Sequence, residues 1–241
     1  MGEGCPVNTS VSVVIPAHNA VRFIGQALES VFLQREAAAN LDLDVIVVDN
    51  ASTDATGDCV QRDFGSTVRL VHEPKPGAAC ARNSGIAAAT APLIAFLDAD
   101  DLWLPGKLAE QCAALAALPD ASLVFCHGAE FSDAPAAYPC NPEARPFVHP
   151  SGLLARREVF DIAGPLPEFR CGEFIAWYGW TQTLGLTSLV VPGSFVRRRV
   201  HSDNTTRNRQ GLAEYTQAMH WLMERRRAHA AAAAGPGATG R

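Results

Sequence analysis

The feature that most narrows the fold is an alternation. Four short apolar runs, at residues 11–15 (VSVVI), 43–48, 68–72 and 93–97, each end in a polar turn, and segments of helical period lie between them. Runs of this length suit strands buried on both faces, as in a parallel sheet. Between Arg22 and Gln34 the residues Phe23, Ile24, Leu28, Val31 and Phe32 recur at helical spacing, which puts one apolar stripe against a sheet. After the second run, Asp49-Asn50-Ala51-Ser52-Thr53-Asp54 supplies turn and cap residues for a helix carrying Val60 and Phe64, with Asp54 as a cap. Glu73-Pro74-Lys75-Pro76-Gly77 reads as loop, and an Ala-rich helix is expected over about 79–89. Short connections between alternating strands and helices predict an α/β fold with a Rossmann-like, mostly parallel sheet flanked by helices. Such sheets bind ligands beyond the carboxyl ends of their strands.

A helix at 104–117 and a strand at 122–126 continue the pattern. Residues 130–150 carry five prolines without periodicity and predict a surface loop. Beyond them, helices are expected at 156–163 and 173–184, strands at 188–191 and 195–200, and a closing helix at 206–229. Leu212, Tyr215, Met219 and Leu222 give that helix a docking stripe. Residues 230–241 are of low complexity and are expected to be disordered.

At 241 residues and 48% hydrophobic, the chain has enough apolar material for one large core. A net charge of −5, with no helix or loop collecting enough Lys and Arg for a phosphate-backbone track, argues against a nucleic-acid partner. The seven cysteines are odd in number, scattered and free of C-x-x-C spacing, which suggests neither a zinc site nor a disulfide framework. MGEGCPVNTS lacks the basic and apolar regions of a signal peptide, and no run reaches the roughly 20 apolar residues of a membrane span. The expectation is a cytoplasmic protein without an integral membrane segment, in which the sequon-like triplets at Asn8, Asn50 and Asn204 carry no meaning.

Asp98-Ala99-Asp100-Asp101, directly after the strand LIAFL, is the most informative polar cluster. Three carboxylates at one strand end cannot all be desolvated and unpaired, so a positive partner is required. A hard divalent cation, Mn2+ or Mg2+, held by one or two of them and by phosphate oxygens, meets that need. Acidic residues capping the next helix are the plainer explanation. Asp49, after the second strand, stands where a carboxylate can accept hydrogen bonds from a base or ribose, although an ordinary turn Asp is as compatible with its position. Arg82, one turn into the helix after Pro76-Gly77, is placed to offer its fork of donors to a phosphate.

Together IPAHN, VVDNASTD, KPGAACARNSGIAAATAPLIAFLDADD and the late RRRVHSDN resemble a family 2 glycosyltransferase of the GT-A fold, over roughly residues 10–205. The resemblance implies an N-terminal extension (1–10), a nucleotide-sugar-binding half (11–128), a smaller acceptor half (129–205) and the C-terminal helix. It implies hexosyl transfer with inversion from a nucleotide sugar, a UDP-sugar above all, to an acceptor sugar, peptide or natural product that the residues do not specify. Pro16, Ala17 and Asn19 would line the nucleotide pocket and Asp49 would bind the base. Arg82 would sit near base or diphosphate. Asp98, with Ala99 beside it, would meet the ribose or sugar, while Asp100 and His201 would hold the metal.

Inverting members place an acidic base at the start of a helix in a Gly-Glu-Asp stretch. Here that stretch is Cys171-Gly172-Glu173-Phe174, so Glu173 is the expected base, with Glu168 next. Phe174 replaces the usual Asp, and the Arg common further on is replaced near Trp180. His18 and Asn50-Ala51 are smaller departures. Trp177, Tyr178 and Trp180 suit either stacking on an acceptor sugar or a helix core. Competing expectations are a donor-binding protein without catalysis, suggested by Phe174, and a nucleotidyltransferase, which usually opens with a Gly-rich phosphate loop that Pro16-Ala17-His18-Asn19 does not provide. No G-x-G-x-x-G follows a strand, which disfavours a nicotinamide enzyme.

Overall fold

β1 (Thr9–Ala17) lies inside the sheet, and its side chains are buried on both faces. Val13 and Ile15 enter one apolar layer and Val14 the other, so a run of β-branched residues is satisfied only with helices above and below. This computed structural model describes residues 9–38, 40–202, 204 and 210–234, without the side chains of 210–213. β2 (Leu41–Asn50) and β4 (Leu93–Phe96) flank β1 in parallel, and β3 (Val68–Glu73) lies outside β2. Between these strands run α1 (Ile24–Phe32), the short α2 (Gln34–Ala37), α3 (Thr56–Phe64) and α4 (Ala78–Ala88). The expected stripe on α1 is real: Ile24, Ala27, Leu28 and Val31 are buried.

α4 lies unusually close to the sheet. A Cβ at Gly85 would stand 2.2 Å from Val14 Cγ1, so glycine permits an approach no other residue allows. Arg82 sits one turn earlier on the same helix and is carried with it to the carboxyl ends of the strands.

The second half is β5 (Leu102–Trp103), α5 (Lys107–Ala117), β6 (Ala121–Phe131), β7 (Arg145–Phe147), a 3₁₀ turn (Pro150–Gly152), β8 (Leu154–Arg156), α6 (Glu158–Ala163), α7 (Glu173–Thr183), β9 (Thr187–Arg199) and α8 (Gln210–Ala234). The strand order is β3-β2-β1-β4-β8-β6-β9-β5, with β7 also on β6. β8 is antiparallel to both β4 and β6, which inserts a late segment beside the parallel strands. This is the expected α/β fold, with its sheet mixed at one end.

Several boundaries differ from the sequence reading, each for a local reason. The helix expected from 104 starts at Lys107, because Leu102 and Trp103 pair with β9 and Leu104 N–H donates to Phe195 O at 2.8 Å. Residues 130–150 are not wholly loop, since β7 pairs with β6. The two late strands form one, β9, whose register against β6 slips between Val190 and Ser194, around Pro192-Gly193. α8 extends through Ala234, past its expected end at 229. Its buried Ala218 and Leu222 dock on α7, with half-buried Tyr215 and Met219 beside them. The side chain of Leu212 and residues 1–8 and 235–241 lie outside the described residues. Among the described residues six cysteines are free thiols, and no helix is long and apolar enough to cross a membrane.

The sheet's second half is held from inside by a buried cation. Lys107 Nζ donates to Gln111 Oε1 at 2.9 Å and lies 4.0 Å from the centre of the Trp103 ring. Burial pushes its ammonium down to about 8. Lys107→Met leaves Gln111 Oε1 and Leu153 O without this donor and is expected to cost about 1–3 kcal/mol, read from urea unfolding. The unfolded chain keeps its proton to a higher pH than the folded one, so wild type gains on Lys107→Met as pH rises above 8. A gap that narrows instead would show that the folded ammonium is not destabilised.

Candidate functional site

Polar residues at the strand ends converge on a cavity of about 930 Å³, lined from both halves of the chain. This is within the range of small-molecule sites. At its centre Arg82 is almost fully buried and forks between two carboxylates: Nη2 donates to Asp98 Oδ1 at 2.6 Å and Nη1 to Glu173 Oε1 at 2.7 Å. Burial is the largest single influence on the carboxyl of Asp98 and raises it, but the charge and hydrogen bond of Arg82, together with His149 and Arg198, hold the group below its ordinary value. For Glu173 burial prevails over Arg82, and its carboxyl is raised. Arg82 was expected at a phosphate; in this structure its two terminal nitrogens are engaged by acids.

The acidic cluster divides its labour. Asp100 Oδ2 is 2.9 Å from His201 Nε2 and 3.3 Å from Asn204 Nδ2, so the two expected metal ligands do meet. Asp101 turns inward, where Oδ2 accepts the Ser151 hydroxyl at 2.7 Å and Oδ1 the Arg199 N–H at 3.0 Å. Burial and the neighbouring charges of Asp100 and Asp98 push its carboxyl well above the ordinary range. Ala99 is buried between them and lines the cavity with its neighbours. Asp98, Asp101 and His149 also bring one ligand atom each within 4.8 Å of one another. Burial pushes His149 down to about 4, so its imidazole is neutral at physiological pH.

Pro16, Ala17 and Asn19 line the cavity as expected, whereas Asp49 is not among its lining residues. The Asp49 carboxylate accepts the Ser52 N–H at 3.3 Å and lies 3.6 Å from His72 Nδ1. The next residue takes its place: Asn50 donates to Glu73 O and Lys75 O at 3.0 and 2.7 Å and accepts the Gly77 N–H at 2.7 Å. Those bonds need an amide, because a carboxylate cannot donate. Asn19 Oδ1 is spent on the turn that follows, accepting Thr53 N–H at 2.8 Å. Asp54 is not the cap itself: the N-cap of α3 is Ala55, and Asp54, one residue before it, accepts the Thr56 N–H at 2.9 Å.

Sequence reasoning missed His149 and Ser151, which sit in what reads as featureless loop and reach the cluster only because β8 inserts beside β4. It also missed Arg199, whose buried guanidinium donates to Asp100 O at 2.9 Å and to Gln26 Oε1 at 2.6 Å. Trp177, Tyr178 and Trp180 of α7 are not free to stack on a ligand. Trp177 and Trp180 donate to Gly164 O and Ala163 O inside the core, and the Tyr178 hydroxyl meets Ser188 Oγ at 2.8 Å. Phe174 is likewise buried, against Phe125 and Trp177. Glu168 is exposed and ion-paired with Lys75, outside the cavity lining.

Comparison with known proteins gives the same picture at family level. The chain is similar to the succinoglycan biosynthesis protein ExoU of Rhizobium meliloti (strain 1021), 38% identical over 105 residues, which are 42% of this chain and 29% of that one. It is 37% identical over 102 residues to the Escherichia coli UDP-Glc:alpha-D-GlcNAc-diphosphoundecaprenol beta-1,3-glucosyltransferase WfgD, covering 42% of this chain and 39% of the relative. The chain thus spans well under half the length of these curated relatives. Among solved structures, S. aureus TarS 1–349 in complex with UDP-GlcNAc superposes with a TM-score of 0.73 at 15% identity, over 89% of this chain and 65% of that one. The mannosyltransferase PcManGT from Pyrobaculum calidifontis, in complex with GDP-Man and Mn2+, gives 0.65 at 21% identity, over 97% and 77%. At identities this low the superpositions establish the shared GT-A fold alone. The family model for glycosyl transferase family 2 matches residues 12–161, which is most of the chain, and the chain belongs to that family.

Proposed function

We propose that this chain transfers a hexosyl group from a nucleotide sugar, a UDP-sugar in the first instance, to an acceptor nucleophile with inversion, assisted by Mn2+ or Mg2+. The observation that carries the reading is the convergence of Asp98, Asp100, Arg82, Glu173 and His201 on one cavity at the carboxyl ends of the parallel strands. Pro16, Ala17 and Asn19 would form the nucleotide wall, with Asn50 fixing the loop opposite. The acceptor, whether sugar, peptide or natural product, would approach the mouth where Val148, Arg170 and Ile175 are exposed.

The donor set fits a hard or borderline cation. A carboxylate oxygen and an imidazole nitrogen 2.9 Å apart, with a side-chain amide beside them, face the cavity. We assign the cation to Asp100 and His201 rather than to Asp98, Asp101 and His149, because both Asp101 oxygens already accept hydrogen bonds and Arg82 holds one oxygen of Asp98. Bound there, it would neutralise charge building on the departing diphosphate. Glu173 would take the proton of the acceptor nucleophile; its raised carboxyl makes it a stronger base than an ordinary Glu, and Arg82 orients it.

A thermal-shift screen of UDP, GDP and dTDP and their sugars, each with Mn2+ and with a chelator, tests the donor half. A metal-dependent shift selective for one nucleotide is expected; none with any would remove the reading. In Asp100→Ala nucleotide affinity loses its Mn2+ dependence, and unchanged affinities with and without Mn2+ would exclude Asp100 as a ligand. Glu173→Gln keeps donor affinity but lowers nucleoside diphosphate release by roughly 10²–10⁴-fold. In wild type the rate falls on the acid side with a midpoint above that of an ordinary Glu, since the base must be deprotonated and burial raises it. Persistence of that acid limb in Glu173→Gln would assign the base elsewhere.

A further inference from the structure

The turn after β7 is held by donors from β5 and α5. Trp103 Nε1 donates to Ser151 O at 2.7 Å, Gln111 Nε2 to Gly152 O at 2.8 Å and Lys107 Nζ to Leu153 O at 3.5 Å. Ser151 is fixed in turn, donating its hydroxyl to Asp101 and accepting the Asp98 N–H at 3.2 Å. His149 opens this turn, packs its ring 4.8 Å from that of Phe147, and lines the cavity. Its Nε2 stands 3.9 Å from Asp98 Oδ2, too far for a direct hydrogen bond. The other oxygen of Asp98 is occupied by Arg82. His149 Nδ1 is buried without a partner, which assigns the proton to Nε2, because an orphaned N–H is the rarer of the two states.

An N–H and a carboxylate oxygen are thus held rigidly 3.9 Å apart at the cavity wall. One hydroxyl oxygen about 2.8 Å from each closes that gap, donating to Asp98 Oδ2 and accepting from His149 Nε2–H. We propose that Asp98 and His149 form a clamp for one hydroxyl of the donor's sugar, and that His149 determines which sugars are accepted. This rests on the donor reading above. A sugar without a hydroxyl at that point leaves both groups unpaired in a turn that cannot relax toward them, which is how a polar site rejects a deoxy analogue.

The test is calorimetric, with UDP and UDP-glucose in the presence of Mn2+, or GDP and GDP-mannose if the screen selects guanosine. His149→Phe keeps the ring contact with Phe147 and removes the N–H, while His149→Gln restores a donor and guards against a variant that does not fold. In His149→Phe the nucleotide sugar is expected to bind about 10-fold or more weaker, the loss of roughly one hydrogen bond, with UDP affinity unchanged. His149→Gln should recover most of the difference, and Mn2+ affinity measured by electron paramagnetic resonance should not move in either variant. Equal weakening of UDP and UDP-glucose, or a loss of Mn2+ affinity, would make His149 a diphosphate or cation residue and overturn the proposal. Unchanged affinity for both nucleotides would overturn it as well. If the unaltered protein binds Mn2+–UDP but not the nucleotide sugar, the clamp falls and the nucleotide site stands; if it binds neither, the donor reading itself falls and the clamp with it.

Discussion

Everything at the cavity is arranged around a charge that cannot be left alone. The guanidinium of Arg82 is almost wholly withdrawn from solvent, and it persists there because a carboxylate from the end of β4 and another from the start of α7 meet its two terminal nitrogens. Removing one of the two acids would still leave the other to balance the charge, but it would strand one buried N–H donor, at a cost of about 1–3 kcal/mol. The fork geometry makes the set directional as well, because two planar carboxylates are held on separate donors of a rigid plane. The consequence is architectural. α4 and the start of α7, 91 residues apart at Arg82 and Glu173, are joined through a single side chain.

The parts of the fold visible in the sequence are those whose physics is local. The strands β1 to β4 and the helices between them announce themselves by period and by polar residues at the strand ends. Asp98, Asp100 and Arg82 were visible for the same reason, each standing at or beside such an end, whereas Glu173 and His201 came from the resemblance to the family. His149 and Ser151 were not visible, because what brings them to the acidic cluster is the insertion of β8 beside β4, a long-range pairing that no window of residues records. Asp49 and Asn50 make the point at the smallest scale. Adjacent residues on a strand face opposite ways, and the one nearer the end of β2, not the more conspicuous acid, lines the cavity.

The aromatic residues of α7 show a similar limit. Their spacing was compatible with a sugar platform and with a core, and the hydrogen bonds of both tryptophans to backbone carbonyls around Gly164 decide for the core. Phe174 belongs with them. Its ring completes an apolar layer with Phe125 and Trp177, which leaves Glu173 as the one acid of its stretch facing Arg82. The position after Glu173 is given to packing, and the electrostatic weight of that stretch rests on Glu173.

The bare backbone of Gly85 has a consequence beyond the packing of α4. The helix is a lever whose fulcrum is the contact with Val14, and Arg82 rides one turn from it. A single methyl group at the fulcrum would lift the arm that carries the central cation, although it would touch no polar atom of the cavity. Tolerance to substitution in this protein is therefore not graded by distance from the cavity: an interior glycine with no chemistry of its own sets the position of a charge as firmly as the carboxylates that neutralise it.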